Sequence, residues 1–318
     1  MSAGATRLRL ADGRWHFQHG PIDCVIGADG DAGAIAAAVE AAWSRFGGVL
    51  GELVGELALL RTDLGSSEGA RIDPQGPVAR RMVAACRAQA SGRRFITAMA
   101  AVAGSVAEEL IAFFERPGIE RAYVNNGGDI ALHLAPGASF EVGIVADPER
   151  ALRGAAPEGR FTIDAESGVR GVATSGWRGR SFSLGIADSV TVLAATASAA
   201  DAAATVIANA VDVDDPRIRR MPANEVRDDS DLGALLVTRE VPPLPARVVE
   251  IALERGRVEA DAQIEAGGVH AVALCVQGRV RLCERRPAFD TLANRRGDRS
   301  LPRFEPPARL PLRLPIRT

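Results

Sequence analysis

Apolar and polar residues alternate in short runs at the start of the chain and again through its middle. Residues 7–28 predict three strands joined by turns at Gly13 and Gly20. Residues 122–134 predict a strand, a glycine turn and a second strand, because Asn-Gly is the strongest short hairpin signal. Further strands are predicted over FEVGIVADP (140–148), RFTIDAES (160–167), GVATSGW (171–177), SFSLGIA (181–187) and DSVTVLAAT (188–196).

Apolar residues recur at helical spacing in other segments. Residues 32–60 predict one or two helices interrupted near the Gly47-Gly48 pair, and residues 77–90 predict another. Residues 95–116 predict a helix with small residues at its start, and an alanine-rich helix follows the last of the strands above. Because strands and helices do not alternate regularly, we expect an α+β (mixed α/β) fold, with mixed or antiparallel sheets flanked by helices.

The composition changes after about residue 240, where a proline-rich stretch begins. We therefore expect two parts, a domain over residues 1–240 and a C-terminal extension over residues 241–318. The extension is predicted to contain a helix, a hairpin that turns at Gln277-Gly278, and a tail rich in Arg and Pro.

Charge and composition exclude several classes of function. The chain has 318 residues, of which 47% are apolar, so it can bury a large core. Its net charge of −2 provides no basic field, and nucleic acid is not an expected partner. The sequence contains no lysine, which excludes a Walker phosphate loop and Schiff-base catalysis.

The cysteines and the N-terminus indicate the cellular compartment. The four cysteines are scattered without any CxxC spacing, so we expect no zinc site. The first residues lack the apolar region of a signal peptide, and no stretch has the length and hydrophobicity of a membrane span. The sequence therefore predicts a cytoplasmic protein with reduced thiols and no membrane partner.

The first candidate site is the NNGGD turn, formed by Asn125, Asn126, Gly127, Gly128 and Asp129. Paired glycines permit positive φ and expose backbone N–H groups to phosphate oxygens or ring carbonyls. The side chains of Asn126 and Asp129 are candidates to hold a ribose or the edge of a heterocycle. A tight hairpin turn without a ligand explains the same residues.

A second candidate site follows at the end of a predicted strand, where Thr174 and Ser175 precede Gly176. Hydroxyl groups beside a glycine can bind phosphate. A plain turn at the strand end is the alternative.

The third candidate is the pair Asp201 and Thr205 in the alanine-rich helix. Positions i and i+4 share one helix face, so a carboxylate and a hydroxyl lie side by side and can hold a hard cation. In the alternative, Thr196 or Ser198 caps the helix and Asp201 lies in its first turn, where a negative charge suits the dipole. That alternative explains Asp201 better than Thr205.

Five segments taken in order resemble the ApbE superfamily, best known for Mg²⁺-dependent FAD:protein FMN transferases. They correspond to family elements written Ala-Lys-Gly, N-x-GGD, A-T-S-G, S-V-T-V and A-D-A-x-A-T. In this chain they are AVAGSVAEEL (101–110), VNNGGDI (124–130), VATSG (172–176), DSVTVLA (188–194) and ADAAAT (200–205). The resemblance covers about residues 15–240. The sequences at residues 99–104 and 124–132 are most similar to those of a cytoplasmic branch of ApbE-like proteins of uncharacterised function.

The resemblance implies a site. Asp201 and Thr205 become Mg²⁺ ligands, with a backbone carbonyl near Val102, beside the diphosphate of FAD or another nucleotide-like ligand held by the NNGGD turn and residues 174–176. Two positions depart from the family. Ala103 stands where the family has lysine, and the family's His-x-Ile-Asp-Pro segment is replaced by WRGRSFSLGIA (177–187).

Three functions follow as hypotheses. The chain transfers FMN to a threonine or serine of a protein acceptor, or it is an enzyme of other specificity acting on a phosphoanhydride, or it binds a small-molecule ligand or serves as a scaffold without turnover. The missing His-x-Ile-Asp-Pro segment argues against the first hypothesis. A homodimer is expected by default for a protein of this kind.

Overall fold

The computed structural model describes residues 4–90, 94–145, 159–285 and 301–305. The strands are β1 Thr6–Arg9, β2 Trp15–His19, β3 Ile22–Gly30, β4 Ile119–Asn126, β5 Asp129–Leu134, β6 Ser139–Ile144, β7 Gly159–Asp164, β8 Gly171–Ser175, β9 Ser189–Ala194, β10 Arg219–Pro222, β11 Leu236–Glu240, β12 Val269–Val276, β13 Arg279–Glu284 and β14 Arg303–Glu305. The helices are α1 Ala32–Gly55, α2 Leu57–Leu60, α3 Pro77–Gln89, α4 Val102–Ile111, α5 Ala197–Ala210, α6 Ala223–Val226 and α7 Ala246–Ala266.

The centre of the fold is a nine-stranded sheet in the order β1-β2-β3-β4-β5-β8-β9-β12-β13. Every neighbouring pair in this sheet is antiparallel. A smaller sheet has the order β14-β7-β6, and β10 pairs with β11. The predicted α+β class is confirmed, with antiparallel sheets flanked by helices.

Helices cover one face of the large sheet and the small sheet covers part of the other. On the helical face, Phe17 and Val124 pack against Phe46 of α1, and Val192 packs with Ile207 of α5. On the opposite face the small sheet packs against the central strands through a separate apolar cluster, which includes Leu132, Phe161, Val172 and Leu193. Alternate residues of each central strand therefore face different layers.

Most of the predicted elements are confirmed, including the first three strands, the hairpin at residues 122–134 and the helix at residues 77–90. The predicted interruption at Gly47-Gly48 is wrong, because α1 continues through both glycines and ends at Gly55. The segment 95–116 is helical in three pieces, with α4 flanked by short 3₁₀ turns. Residues 146–148 of one predicted strand lie outside the described residues.

The strand predicted for SFSLGIA (181–187) is wrong, since these residues form a loop. Their backbone groups bond outside the large sheet. The Ile186 N–H donates to the Val211 carbonyl at the end of α5 (2.8 Å), and the Ser183 carbonyl accepts from the Thr238 N–H of β11 (2.8 Å). Tertiary partners at both ends of the segment thus override its apolar alternation.

The C-terminal helix and hairpin complete the sheet. The hairpin β12–β13 turns at Gln277-Gly278 as predicted, and β12 pairs with β9. The expected division at residue 240 falls between β11 and α7, and it stays a prediction. One apolar cluster contains residues from both sides of it, among them Ile207 and Leu253. In the part of the chain that is described, no helix is both long and apolar enough to cross a membrane.

Candidate functional site

The NNGGD residues form the turn between β4 and β5. Asn126 pairs with Asp129, which leaves Gly127 and Gly128 as a two-residue turn with φ values of +68° and +113°. Side chains disfavour both values, so glycine is required at each position. The Asn125 side-chain oxygen accepts the Gly128 N–H at 2.8 Å and closes the turn. The hairpin interpretation is confirmed, and the turn lies at one end of the central strands.

Asn126 joins this turn to the start of α4. Its side chain is buried, and its Nδ2 donates to the Ala103 carbonyl at 3.2 Å. Its Oδ1 accepts the Asp23 N–H of the neighbouring strand at 3.3 Å. Because both polar atoms of the amide have protein partners, Asn126 fixes the position of α4 relative to the sheet.

Asp201 of α5 reaches the same place from the helix layer. Its Oδ2 accepts the Gly104 N–H at 2.9 Å, within the first turn of α4. No side chain of α4's own N-terminus caps that turn, so Asp201 supplies the missing acceptor. The expectation that Asp201 lies in the first turn of its own helix is wrong, because α5 begins at Ala197. Thr196 is the N-cap of α5, as predicted, and its side chain accepts the Ala199 N–H.

A glycine allows α4 and α5 to approach this closely. A Cβ atom on Gly104 would lie 2.3 Å from the Ala197 carbonyl oxygen and 2.9 Å from Asp201 Cβ. The capping is reciprocal, since Oε2 of Glu108 on α4 accepts the Ser198 N–H (3.0 Å) and hydroxyl (2.7 Å) in the first turn of α5. Each helix thus satisfies the free N–H groups of the other.

Asp129 and Asp201 lie within range of each other's charge. Burial raises the pKa of Asp129 to about 7, against the opposing effects of the Thr174 N–H bond and the Arg180 charge. Burial, and then the negative charge of Asp129, raise the pKa of Asp201 well above its usual range, although N–H groups of α4 oppose the rise. Two carboxylates from different layers are therefore each less stable in the ionised form, which favours binding of a proton or a cation.

Thr205 lies one turn further along α5 and is half-buried. Its hydroxyl makes no hydrogen bond to any of the described residues, so its oxygen is available to a ligand there. Over the described ranges, no group of three or more His, Cys, Asp or Glu side chains is arranged to hold a metal ion.

Residues 174–176 contribute to the site mainly through the backbone. The Thr174 N–H donates to Asp129 Oδ1 at 3.3 Å, whereas its hydroxyl lies 3.0 Å from the Thr191 hydroxyl. Thr174 shares a strand face with Val172, which packs under the small sheet and away from α5. Ser175 is half-buried opposite Val190. A Cβ on Gly176 would lie 2.5 Å from the Asp188 carbonyl oxygen, so this glycine permits a close crossing of the chain.

Sequence reasoning missed Arg180, which lies over the turn. A Cβ on Gly127 would lie 1.6 Å from Arg180 Nη2, so the guanidinium rests directly against the glycine backbone. Glu108 was missed as well. Arg180 could have been found from its place in the polar segment between two strands that carry candidate site residues. Glu108 could have been found because it lies one helical turn from the motif at residues 101–104.

A cavity of about 290 Å³ lies elsewhere, at the opposite end of β3 from the turn. Its lining includes Trp15, Ile35 and Phe114 and is mostly apolar. It contains none of the predicted site residues.

The family model described as "AbpE bacteria" matches residues 7–282. The chain belongs to this family. The predicted ApbE-like membership is confirmed, and the match extends beyond the expected residues 15–240 into the C-terminal helix and hairpin.

Two curated relatives illustrate the similarity. A UPF0280 protein of Methanopyrus kandleri is 42% identical over 132 residues, which cover 41% of this ApbE-like chain and 50% of the relative. A UPF0280 protein of Methanothrix thermoacetophila is 32% identical over 183 residues, covering 54% and 70%. The chain spans about half the length of the first of these relatives.

Two solved structures of ApbE proteins are similar to this chain. The ApbE protein of Thermotoga maritima is 13% identical, with 88% of this chain and 96% of that chain covered and a TM-score of 0.42. The flavinyl transferase ApbE of Pseudomonas stutzeri, in its apo form, is 14% identical, with 89% and 96% covered and a TM-score of 0.35.

Proposed function

We propose that this ApbE-like chain binds a nucleotide-like diphosphate, with FAD as the first candidate, together with Mg²⁺ beside the NNGGD turn. The observation that carries the proposal is that the turn and α5 meet at neighbouring residues of α4. Asn126 of the turn donates to the Ala103 carbonyl, and Asp201 of α5 accepts the Gly104 N–H. In this arrangement the pKa values of Asp129 and Asp201 are both raised. Two buried carboxylates are costly to ionise when no cation is present. Binding of a cation at such a site is therefore favourable.

The donors available fit Mg²⁺. The Asp201 carboxylate would hold the ion together with the Thr205 hydroxyl, which has no partner among the described residues. The Asp129 carboxylate lies within range to add its charge. All of these donors are oxygen atoms, which Mg²⁺ prefers, and their small number leaves positions for water and for substrate phosphates. When bound, the ion supplies positive charge that polarises a phosphoanhydride.

The protein's own groups would orient the ligand around that ion. The turn at Gly127-Gly128 has no side chains, so a ligand can approach its backbone closely. The N–H groups at the start of α4 hold Asp201 in place. The Thr174 N–H does the same for Asp129. Both carboxylates are therefore positioned before any ligand arrives.

Isothermal titration of FAD, with and without Mg²⁺, tests the proposal. The informative variant is Asp201→Asn, because the amide oxygen can still accept the Gly104 N–H while the negative charge is lost. We expect FAD to bind with Mg²⁺, and to bind much more weakly without Mg²⁺ or in the variant. Glu108→Gln is the matched control, since it alters the other reciprocal cap and leaves the Asp129 and Asp201 pair intact. Binding that is independent of Mg²⁺ would contradict the proposal.

Transfer of FMN to a threonine or serine of a protein acceptor is the second candidate, favoured by family membership. The loop at residues 177–187 contains no histidine and no Asp-Pro pair, which argues against it. Incubation of FAD with a threonine-containing acceptor peptide decides between these roles, with AMP release and the mass of the peptide as readouts. Transfer adds FMN to the peptide as AMP leaves, whereas hydrolysis releases AMP and free FMN. Binding without turnover would leave a ligand-binding role.

The compartment and the oligomeric state stay predictions. Support for a reducing compartment comes from the cysteines Cys24, Cys86, Cys275 and Cys283, which are all buried and form no disulfide. We retain the cytoplasm and a homodimer as proposals, to be tested by cell fractionation and by light scattering.

A further inference from the structure

Arg180 holds an unusual position for an exposed arginine. Its guanidinium lies against the backbone of Gly127, so close that a Cβ at that glycine would be 1.6 Å from Nη2. Gly127 has a φ of +68°, which glycine adopts without strain. The turn therefore accommodates both an unusual backbone conformation and a cation resting on it.

The loop that carries Arg180 is fixed at its base. The Trp177 N–H donates to the Ala187 carbonyl at 3.0 Å and closes the loop. Asp188 Oδ1 then accepts from Trp177 Nε1 (3.2 Å) and from Arg178 Nε (2.9 Å). Gly176 allows the two ends to cross. Arg180 is thus presented by an anchored loop over the turn.

The two arginines of this loop have different surroundings. Arg178 pairs with Asp188 and stacks on the Trp177 ring at 4.7 Å. Arg180 is exposed and forms no hydrogen bond or ion pair with the described residues, although its charge lowers the pKa of Asp129 against the effect of burial. An arginine has five N–H donors, and those of Arg180 remain open to a ligand.

We propose that Arg180 binds a phosphate group of the ligand above the Gly127-Gly128 turn. This inference rests on the proposed function and adds a residue that determines specificity. A ligand at this place lies beside the Arg180 guanidinium and within range of the Asp129 charge, which in turn acts on Asp201. An anion alone is repelled by the carboxylates and a cation alone by Arg180, so a metal-bound diphosphate is the group that suits both kinds of charge.

In the alternative role, the Arg180 charge screens the Asp129 carboxylate and does not contact the ligand. Removal of Arg180 would then change the affinity for Mg²⁺ and leave the affinity for the anion unchanged. The two roles therefore separate when the metal and the anion are titrated independently.

The test is isothermal titration with inorganic pyrophosphate at saturating Mg²⁺, on the wild-type chain, Arg180→Gln, Arg180→Lys and Arg178→Gln. We expect Arg180→Gln to weaken pyrophosphate binding about 10- to 100-fold, as for the loss of a charge-assisted hydrogen bond. The pyrophosphate affinity of Arg180→Lys should lie between those of the wild type and Arg180→Gln, because lysine keeps the positive charge but lacks the planar guanidinium. Arg178→Gln is the matched control from the same loop. Because Trp177 Nε1 still holds Asp188 in that variant, it should weaken pyrophosphate binding much less than Arg180→Gln does.

Titration of Mg²⁺ alone completes the experiment, and Arg180→Gln should bind the ion at least as tightly as the wild type. Pyrophosphate affinity equal in the wild type and Arg180→Gln would overturn the inference, as would equal weakening in Arg178→Gln. If pyrophosphate binding depends on Asp201 and not on Arg180, the proposed function stands and this inference falls. If the wild type binds neither FAD nor pyrophosphate with Mg²⁺, both fall.

Discussion

The Gly104 N–H donates to Asp201 Oδ2 at 2.9 Å, so a carboxylate from α5 caps the first turn of α4. The same carboxylate is the strongest candidate ligand for a cation. Asp201 therefore has two proposed roles. A substitution by alanine cannot separate them, because loss of the side chain removes the helix cap and the negative charge together.

Substitutions at Asp201 should separate the two roles. Asp201→Ala removes the acceptor as well as the charge, so its free energy of unfolding should be about 1 kcal/mol lower than that of Asp201→Asn, as for the loss of a helix cap. Asp201→Asn keeps an acceptor oxygen and removes the repulsion from Asp129, so its stability without metal should equal or exceed that of the wild type at pH 8. Urea denaturation in the presence of EDTA measures both. Equal destabilisation by the two substitutions would show that the capping explanation is wrong.

Gly104 should not tolerate a side chain. Gly104→Ala places a methyl group 2.3 Å from the Ala197 carbonyl oxygen, and we expect a loss of about 1–3 kcal/mol as the two helices are forced apart. Gly51→Ala is the control, because Gly51 is exposed in α1 and its Cβ would meet open space. That variant should gain about 0.5–1 kcal/mol from helix propensity. Thermal unfolding of both variants at one pH gives the comparison.

The pH dependence of stability should reveal Asp129. Its pKa is about 7 in the folded protein, against 3.8 as the ordinary value, so the folded state binds the proton more tightly than the unfolded state. Without metal, this group should therefore reduce stability progressively as pH rises from about 4 to about 7, and no further above that range. Asp129→Asn should flatten this part of the profile. Denaturation in EDTA between pH 5 and pH 8 measures the difference, and parallel profiles would contradict the assignment.

The two turn glycines should differ in their effect on ligand binding. Gly127→Ala places a methyl group where the Arg180 guanidinium lies, whereas Gly128→Ala meets open space and suffers only backbone strain. We expect both variants to lose stability, by about 1 kcal/mol or more. Pyrophosphate binding at saturating Mg²⁺ should weaken more in Gly127→Ala, despite its less extreme φ. Greater weakening in Gly128→Ala would argue against a role for Arg180.

Local chemistry made several features predictable. The Asn-Gly-Gly sequence requires a turn at residues 127–128 because few other residues tolerate positive φ. Thr196 was predictable as a cap since a hydroxyl before an alanine-rich run can accept an N–H group. The side-by-side placement of Asp201 and Thr205 follows from the helical repeat alone. Each of these inferences concerns residues within one turn of one another.

Patterns within short segments therefore predict the strands of the large sheet, the two tight hairpins, the cap at Thr196 and the ApbE-like motifs, but they predict neither β10 nor β11. Packing between elements makes SFSLGIA a loop, places Asp201 as the cap of α4, brings Asp201 within range of the Asp129 charge and lays Arg180 on Gly127. These contacts join residues far apart in the chain, and they depend on how the helix layer packs on the sheet. Periodicity describes which face a residue occupies within its own element, whereas packing between elements decides which charges meet there.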